Sequence, residues 1–286
     1  MLKLIRPLNL ILAALTYAFG ASIADYLGKA LRVESFWFGF LIVTLIQVTM
    51  SLLPEVYRPH NEPLIENETR KDRLVIRNNA LYISLTTLSA IAVFAYILFN
   101  SKLLPSLSLL FLVFSLFLVF VNAVPPFRFI NRGFGELLLA VQVAYIFPTF
   151  AFTLQTGKTH SFLALTIPLT FLAFAYFIVL NFQAFAQDQK YQRVTFLTRL
   201  GWETVVPLHH AFVLFTYIFF LAMPAFGLSL NIIWSAFLTL PFALFQINQL
   251  RNISLGAPTN WILLNTTAIA VFGLTTYFLT STFWLR

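Results

Sequence analysis

The sequence predicts an all-α polytopic membrane protein, a single bundle of about nine transmembrane helices spanning residues 1–286, and three observations carry that reading. First, 59% of the chain is apolar, only 10% is charged, and 34 residues are Phe. A soluble domain carries about 25% charge. Second, apolar runs long enough to cross a hydrocarbon core of about 30 Å recur along the whole chain. Third, stretches such as Leu109 to Val121 are continuously apolar. A membrane β-barrel needs short segments alternating between apolar and polar instead.

The runs fall near 7–25, 35–53, 80–99, 103–124, 135–155, 161–183, 204–223, 226–248 and 260–282. The first follows Lys3 and Arg6 in the manner of a signal peptide, but its length and the lack of a small-x-small cleavage site favour an uncleaved helix. The second stops at Pro54, and the third begins after a charged connection, 54–79. That connection holds five of the ten acidic residues, Glu55, Glu62, Glu66, Glu68 and Asp72, beside Arg58, Arg70, Lys71, Arg73 and Arg77. The fourth run ends at Pro125-Pro126, and the fifth opens on Gly135-Glu136. Pro148, Pro168 and Pro241 interrupt the fifth, sixth and eighth, a feature also seen in transporters, although no internal repeat of the transporter kind is present.

Charge gives the bundle a direction. Counting alternate sides, 13 of the 18 Lys and Arg residues lie on the side of the N-terminus and the 54–79 connection. Only Lys29, Arg32, Lys102, Lys158 and Arg286 lie on the other. Short cytoplasmic loops carry such an excess, so a multi-pass protein of the cell membrane is expected, with a cytoplasmic N-terminus and an external C-terminus. The net charge of +8 therefore reads as topology rather than nucleic-acid binding. With no Cys, disulfides, thiolate metal sites and a Cys nucleophile are excluded.

Two polar stretches at span ends carry candidate chemistry. Glu55 and Glu62 stand seven apart at the end of the second run, a spacing that on a continued helix places both carboxylates on one face, although Pro59 argues against continuation. Solvated loop charges are the alternative reading. Asn181 and Asp188 stand seven apart where the Phe-rich sixth run becomes polar, followed by Lys190 and Arg193. Polar residues at membrane depth face a bundle interior or a wet cavity, and the alternative is an interfacial cap anchored by the two cations. In the stretch Pro125-Pro126-Phe127-Arg128 to Glu136, the glycines permit close helix approach and Glu136 suits a helix N-terminus, a structural role. His209 and His210, adjacent on a helix, do not share a face and read as packing or interfacial residues.

At these stretches the chain resembles the UbiA-type intramembrane prenyltransferases, most closely their menaquinone-pathway branch. The resemblance rests on Pro125-Pro126-Phe127-Arg128, Arg132-Gly133-Phe134-Gly135-Glu136, Pro148 and Leu154-Gln155-Thr156-Gly157, and on Asn181, Asp188, Thr195 and Leu200-Gly201. It implies helices around a central cavity open to lipid, with two acidic motifs holding Mg²⁺ and an isoprenyl diphosphate. The prenyl group would pass to a lipophilic aromatic acceptor, as in quinone biosynthesis. On this resemblance Glu55, Glu62 and Asp188 are the metal ligands and, with Asn181, the catalytic set. Arg58, Arg70, Lys71, Lys190 and Arg193 would bind the diphosphate. Both motifs depart from the pattern: Arg58 and Ala184 stand where acidic residues are expected, so three of five carboxylates remain. Glu66, Glu68 or Asp72 are the candidate replacements. A non-catalytic relative that binds a lipid or quinone, or supports a partner enzyme, is the alternative that these departures suggest.

Overall fold

The computed structural model describes residues 2–59, 62–63 and 68–285, so the expectations placed on Glu66 and Arg286 lie outside the described residues. Among the described residues there are nine helices long and apolar enough to cross a membrane, and no strand. They are α1 (Pro7–Tyr26), α2 (Val33–Val56), α3 (Arg70–Asn100), α4 (Ser106–Ala123), α5 (Gly135–Thr156), α6 (Ser161–Phe182), α7 (Trp202–Ala225), α8 (Leu230–Ser254) and α9 (Trp261–Trp284).

The nine predicted runs correspond to these nine spans, and the clearest difference is at α3. Hydropathy marks the start of the third run near residue 80, yet the helix begins at Arg70. The reason is a capping box: Thr69 Oγ1 accepts from the Asp72 N–H at 3.2 Å, and the Asp72 carboxylate accepts from the Thr69 N–H at 3.2 Å. At 31 residues α3 is about 46 Å long, so its charged first turns extend beyond the hydrocarbon. The charged connection is correspondingly shorter than 54–79, because α2 also continues through Pro54 to Val56.

α5 and α6 form the centre of the bundle, with 78% and 72% of their apolar stretches buried, whereas only 22% of α3's is, so α3 lies at the outside of the bundle. Helices α1 and α5 touch closely because Gly20 lies against the backbone of Pro148, where a Cβ has no room. The prolines are absorbed locally. Pro148 follows a π-helical turn, Gln142–Ile146, and Pro241 follows a 3-10 turn, Trp234–Thr239, so the ring meets no regular carbonyl ladder. At one end of the bundle, Arg32 ties α2 to α5: its guanidinium donates to the carbonyls of Leu154 and Gln155, and its backbone N–H donates to Gln155 Oε1 at 2.9 Å. The Gln155-Thr156-Gly157 stretch is therefore a helix tie at the end opposite the charged connection.

Candidate functional site

The polar end of the bundle, on the arginine-rich side, holds a cavity of about 150 Å³. Three segments far apart in sequence build it. The end of α2 and its continuation supply Pro54, Glu55, Arg58, Glu62 and Pro63; the turn after α4 supplies Arg128, Ile130 and Asn131; a short helix after α6, Phe185–Lys190, supplies Gln187 and Asp188, with Tyr191 and Arg193 beyond it.

Each segment has a local reason for its shape. α2 ends at Val56, and the chain turns through Tyr57 and Pro59, so Glu55 and Glu62 face the cavity from a helix and a turn rather than from one helix face. Arg128 sits in the left-handed region at φ 39, a conformation that costs an L residue energy and is found at constrained sites. Gly133, at φ 74, follows the turn Phe129–Arg132 and lies against the Thr195 carbonyl, bringing that turn up to the segment after α6. The helix break at Gln183 and Ala184 separates Asn181 from Asp188, so their seven-residue spacing does not put them on one helix.

Charges in the cavity are closely matched. Arg58 lies 2.7 Å from Glu68 Oε1 through Nη2 and 3.4 Å from Glu55 Oε2 through Nε, and its side chain is only 7% exposed. Its Nη1 and the Nε of Arg128 are buried without a hydrogen-bond partner among the described residues. Asn131 Nδ2 donates to Glu62 Oε1 at 3.2 Å, and Arg73 donates to the backbone carbonyls of Pro59 and Glu62. Arg193 Nη1 stands 3.9 Å from Asp188 Oδ1. Burial pushes the Asp188 carboxyl up to about 6; Arg193 opposes the rise, while the negative charges of Glu136 and Glu62 reinforce it. Burial likewise raises Glu62, against the pull of Arg193, Arg128 and Arg58. The same desolvation lowers Arg128, with Glu62 and Glu55 opposing.

A second chamber of about 50 Å³ adjoins the first, with Ile130 and Arg193 lining both. Asn181 lies there, not with Asp188, and its amide donates to Glu136 Oε1. The Phe196 N–H reaches the same oxygen at 3.3 Å, while Glu136 Oε2 is buried without a partner. Arg6 completes this chamber.

Of the sequence-predicted residues, Glu55, Arg58, Glu62, Asp188 and Arg193 thus come together, and Asn181 is one chamber away. Arg70 lines a different cavity, beside Arg73 and Arg77. Lys71 is exposed and lines none of these cavities, and Lys190 is exposed with its ammonium 5.3 Å from the Tyr191 ring. Glu68 pairs with Arg58 and Asp72 caps α3, and neither lines the first cavity. Arg128, Asn131, Gln187 and Tyr191 were not singled out as site residues from sequence; the Pro-Pro-Phe-Arg stretch was the available signal for Arg128. His209 and His210 pack between α7 and α8, bonded to Gln246 and to the Ile247 carbonyl.

The fit to a divalent metal is poor. Among the described residues no three His, Cys, Asp or Glu side chains gather closely enough to hold a metal ion. Glu55 is turned to Arg58, Glu62 to Asn131 and Asp188 to Arg193, and three guanidinium groups line the same 150 Å³. Mg²⁺ prefers near-octahedral oxygen coordination, which these paired carboxylates do not offer as placed.

No protein-family model and no curated protein matches the sequence. Solved structures do. A UbiA homologue from Archaeoglobus fulgidus bound to DMAPP and Mg²⁺ superposes with a TM-score of 0.64 at 14% identity, over 100% of this chain and 99% of that one. The chain has the UbiA fold. The A. fulgidus homologue bound to Cd²⁺ gives a TM-score of 0.63 at 16% identity, with 99% and 98% of the two chains covered. The apo UbiA homologue from Aeropyrum pernix K1 gives 0.58 at 11%, over 95% and 96%. At these identities the likeness is one of architecture, and it extends over essentially the whole chain.

Proposed function

We propose that this protein is an intramembrane prenyltransferase of the UbiA type, which takes an isoprenyl diphosphate into the polar cavity and transfers its prenyl group to a lipophilic aromatic acceptor of the quinone-precursor class. The observation that carries the reading is the meeting of Arg58, Arg128 and Arg193 with Glu55, Glu62 and Asp188 around one cavity, at the polar end of a bundle whose fold neighbours include one bound to DMAPP and Mg²⁺ and one bound to GPP and Mg²⁺. The basic side, with the cavity, faces the cytoplasm in this reading.

Transfer begins with heterolysis of the allylic C–O bond, whose electron pair leaves with the diphosphate. Charge builds on the leaving oxygens, and groups already aimed at that charge lower the barrier. Arg58 has an unused buried Nη1 and Arg128 an unused buried Nε, so both can donate to phosphate oxygens without first giving up a partner. Arg193 has only a 3.9 Å contact to Asp188 to exchange. The allylic cation is then attacked by a ring carbon of the acceptor, which loses a proton to restore aromaticity. In the related folds Mg²⁺ accompanies the diphosphate; here the arginines supply the positive charge that this chain's carboxylates are not arranged to recruit. The menaquinone-pathway acceptor, a dihydroxynaphthoate, is the specific acceptor we assign.

The matched ion pairs also support a second reading, in which the bundle binds an isoprenoid phosphate or quinone without transferring it. Isothermal titration of the detergent-solubilised protein with a thio-analogue of geranyl diphosphate, with and without Mg²⁺, tests the shared premise. Binding that persists without Mg²⁺ and is lost in Arg58→Gln supports the cavity assignment. No binding in either condition sinks the transferase reading and the isoprenoid-phosphate form of the second, and binding without release of pyrophosphate from geranyl diphosphate in the presence of dihydroxynaphthoate selects the second.

A further inference from the structure

Arg70, Arg73 and Arg77 recur at i, i+3 and i+7, the spacing of one helix face, on the first two turns of α3. They line a cavity of about 480 Å³ that is separate from the candidate site, the two sharing a wall made by Glu55 and Arg58. Sidedness alone accounts for cations on this side of the membrane, but not for their position on the helix. The N-terminal turn of a helix carries partial positive charge and favours acidic residues, so Arg70, at the first helical position, stands against the dipole. Among the described residues the nearby acids are engaged elsewhere: Asp72 by Thr69, and Glu68 by Arg58 at 2.7 Å. Arg73 is held by the carbonyls of Pro59 and Glu62, while Arg70 and Arg77 are exposed and form no ion pair among the described residues.

This concentration of positive charge lies at the end of the span whose apolar stretch is least buried in the bundle, 22%, and Leu74 beside it is 54% exposed. A ligand here needs an anionic head for the arginines and an apolar body to lie along α3. We propose that this cavity binds the phosphate headgroup of an anionic glycerophospholipid, with Arg70 and Arg77 as the principal contacts and its acyl chains against the exposed face of α3. Basic pockets beside transmembrane helices on the cytoplasmic side recognise such headgroups. A bilayer lipid is chosen over an isoprenyl diphosphate because this cavity is bordered by the exposed Arg70, Leu74 and Arg77 of α3, whereas the first cavity holds the buried Asp188 of the candidate transfer site. The proposal does not rest on the prenyltransferase reading.

The test is native mass spectrometry of the whole protein released from nanodiscs of phosphatidylcholine containing a minor share of phosphatidylglycerol. The protein is expected to retain phosphatidylglycerol well above its share of the bilayer, and Arg70→Gln/Arg77→Gln to reduce that enrichment about tenfold. Lys29→Gln/Lys158→Gln, on the opposite side, is expected to leave it unchanged. An unchanged melting temperature in detergent establishes that the arginine variant is folded. Retention at the bilayer's own proportion, or equal enrichment in the arginine variant, overturns the proposal. Displacement of the lipid by geranyl diphosphate also overturns it, by assigning the cavity to the diphosphate substrate; failure of the protein to bind geranyl diphosphate leaves it standing.

Discussion

Asp188 and Arg193 face each other at 3.9 Å across the lip of the cavity, with the carboxylate side chain 7% exposed and the guanidinium 39% exposed. The contact is too long and too open on the arginine side to offset the burial of the acid, which is why the carboxyl sits near 6 instead of at 3.8. Because the folded state holds this proton more tightly than the unfolded chain, the group's contribution to stability is full below about 4 and is lost as pH rises through about 6. Thermal melts in detergent across that window are expected to show stability falling with pH relative to Asp188→Asn, in which this contribution is absent. Parallel pH profiles for the two proteins remove Asp188 as the titrating group.

Arg58 is the cation on which two acids depend, since the Glu68 side chain is 3% exposed and that of Glu55 15%. Removing one partner of a buried pair costs about 3–5 kcal/mol, because the other is left charged and unpaired. Arg58→Gln is therefore expected to lower stability by an amount of that order, and Arg58→Gln/Glu68→Gln to recover much of it. Diphosphate binding should not return in the double variant, because the lost Nη1 donor is not restored. If the double variant recovers binding as well as stability, Arg58 serves only the local structure.

Gly20 bears on the fold rather than the site. Its Cα lies against the Pro148 backbone, so any side chain must push α1 away from α5, the most buried span. Overpacking of this kind costs about 1–3 kcal/mol. Gly20→Ala is expected to lower the melting temperature in detergent, and Gly273→Ala much less, since a Cβ there meets only the Leu12 side chain at 3.5 Å. Equal shifts at the two glycines argue against the close α1–α5 approach.

The spans were legible because the bilayer imposes one requirement, length of apolar run, that hydropathy measures directly. Hydropathy reports where the hydrocarbon ends and not where the helix does, so the ten residues from Arg70 to Asn79, seven of them charged or polar, read as loop although Thr69 and Asp72 cap them as helix. At the site, Glu55, Glu62 and Asp188 were legible as acidic residues stranded at span ends. The tertiary facts were not: a helix break at Gln183 and Ala184 swings Asp188 toward the cavity and leaves Asn181 with Glu136, and Arg70, on the first turn of α3, lines a different cavity from Asp188. Arg128 escaped notice as a ligand group because its role depends on a left-handed backbone that composition does not report.

That backbone conformation at Arg128 makes separable demands on stability and binding. A non-glycine residue at φ 39 carries a strain on the order of 1 kcal/mol that glycine does not, and the Arg128 Nε is buried without a partner. Glycine loses more backbone entropy on folding, so the two effects nearly cancel, and Arg128→Gly is expected to change stability by less than about 1 kcal/mol. A hydrogen bond to a charged group contributes roughly 1.5–3 kcal/mol, so the same substitution should weaken binding of the geranyl diphosphate analogue by at least about tenfold. Arg128→Ala, which keeps the strain and loses the guanidinium, should bind as poorly as the glycine variant and be less stable than it. Melting curves and titrations on the three proteins give both numbers. If Arg128→Gly binds as the parent does, Arg128 is a turn residue, and the positive charge at the diphosphate must come from Arg58 and Arg193 alone.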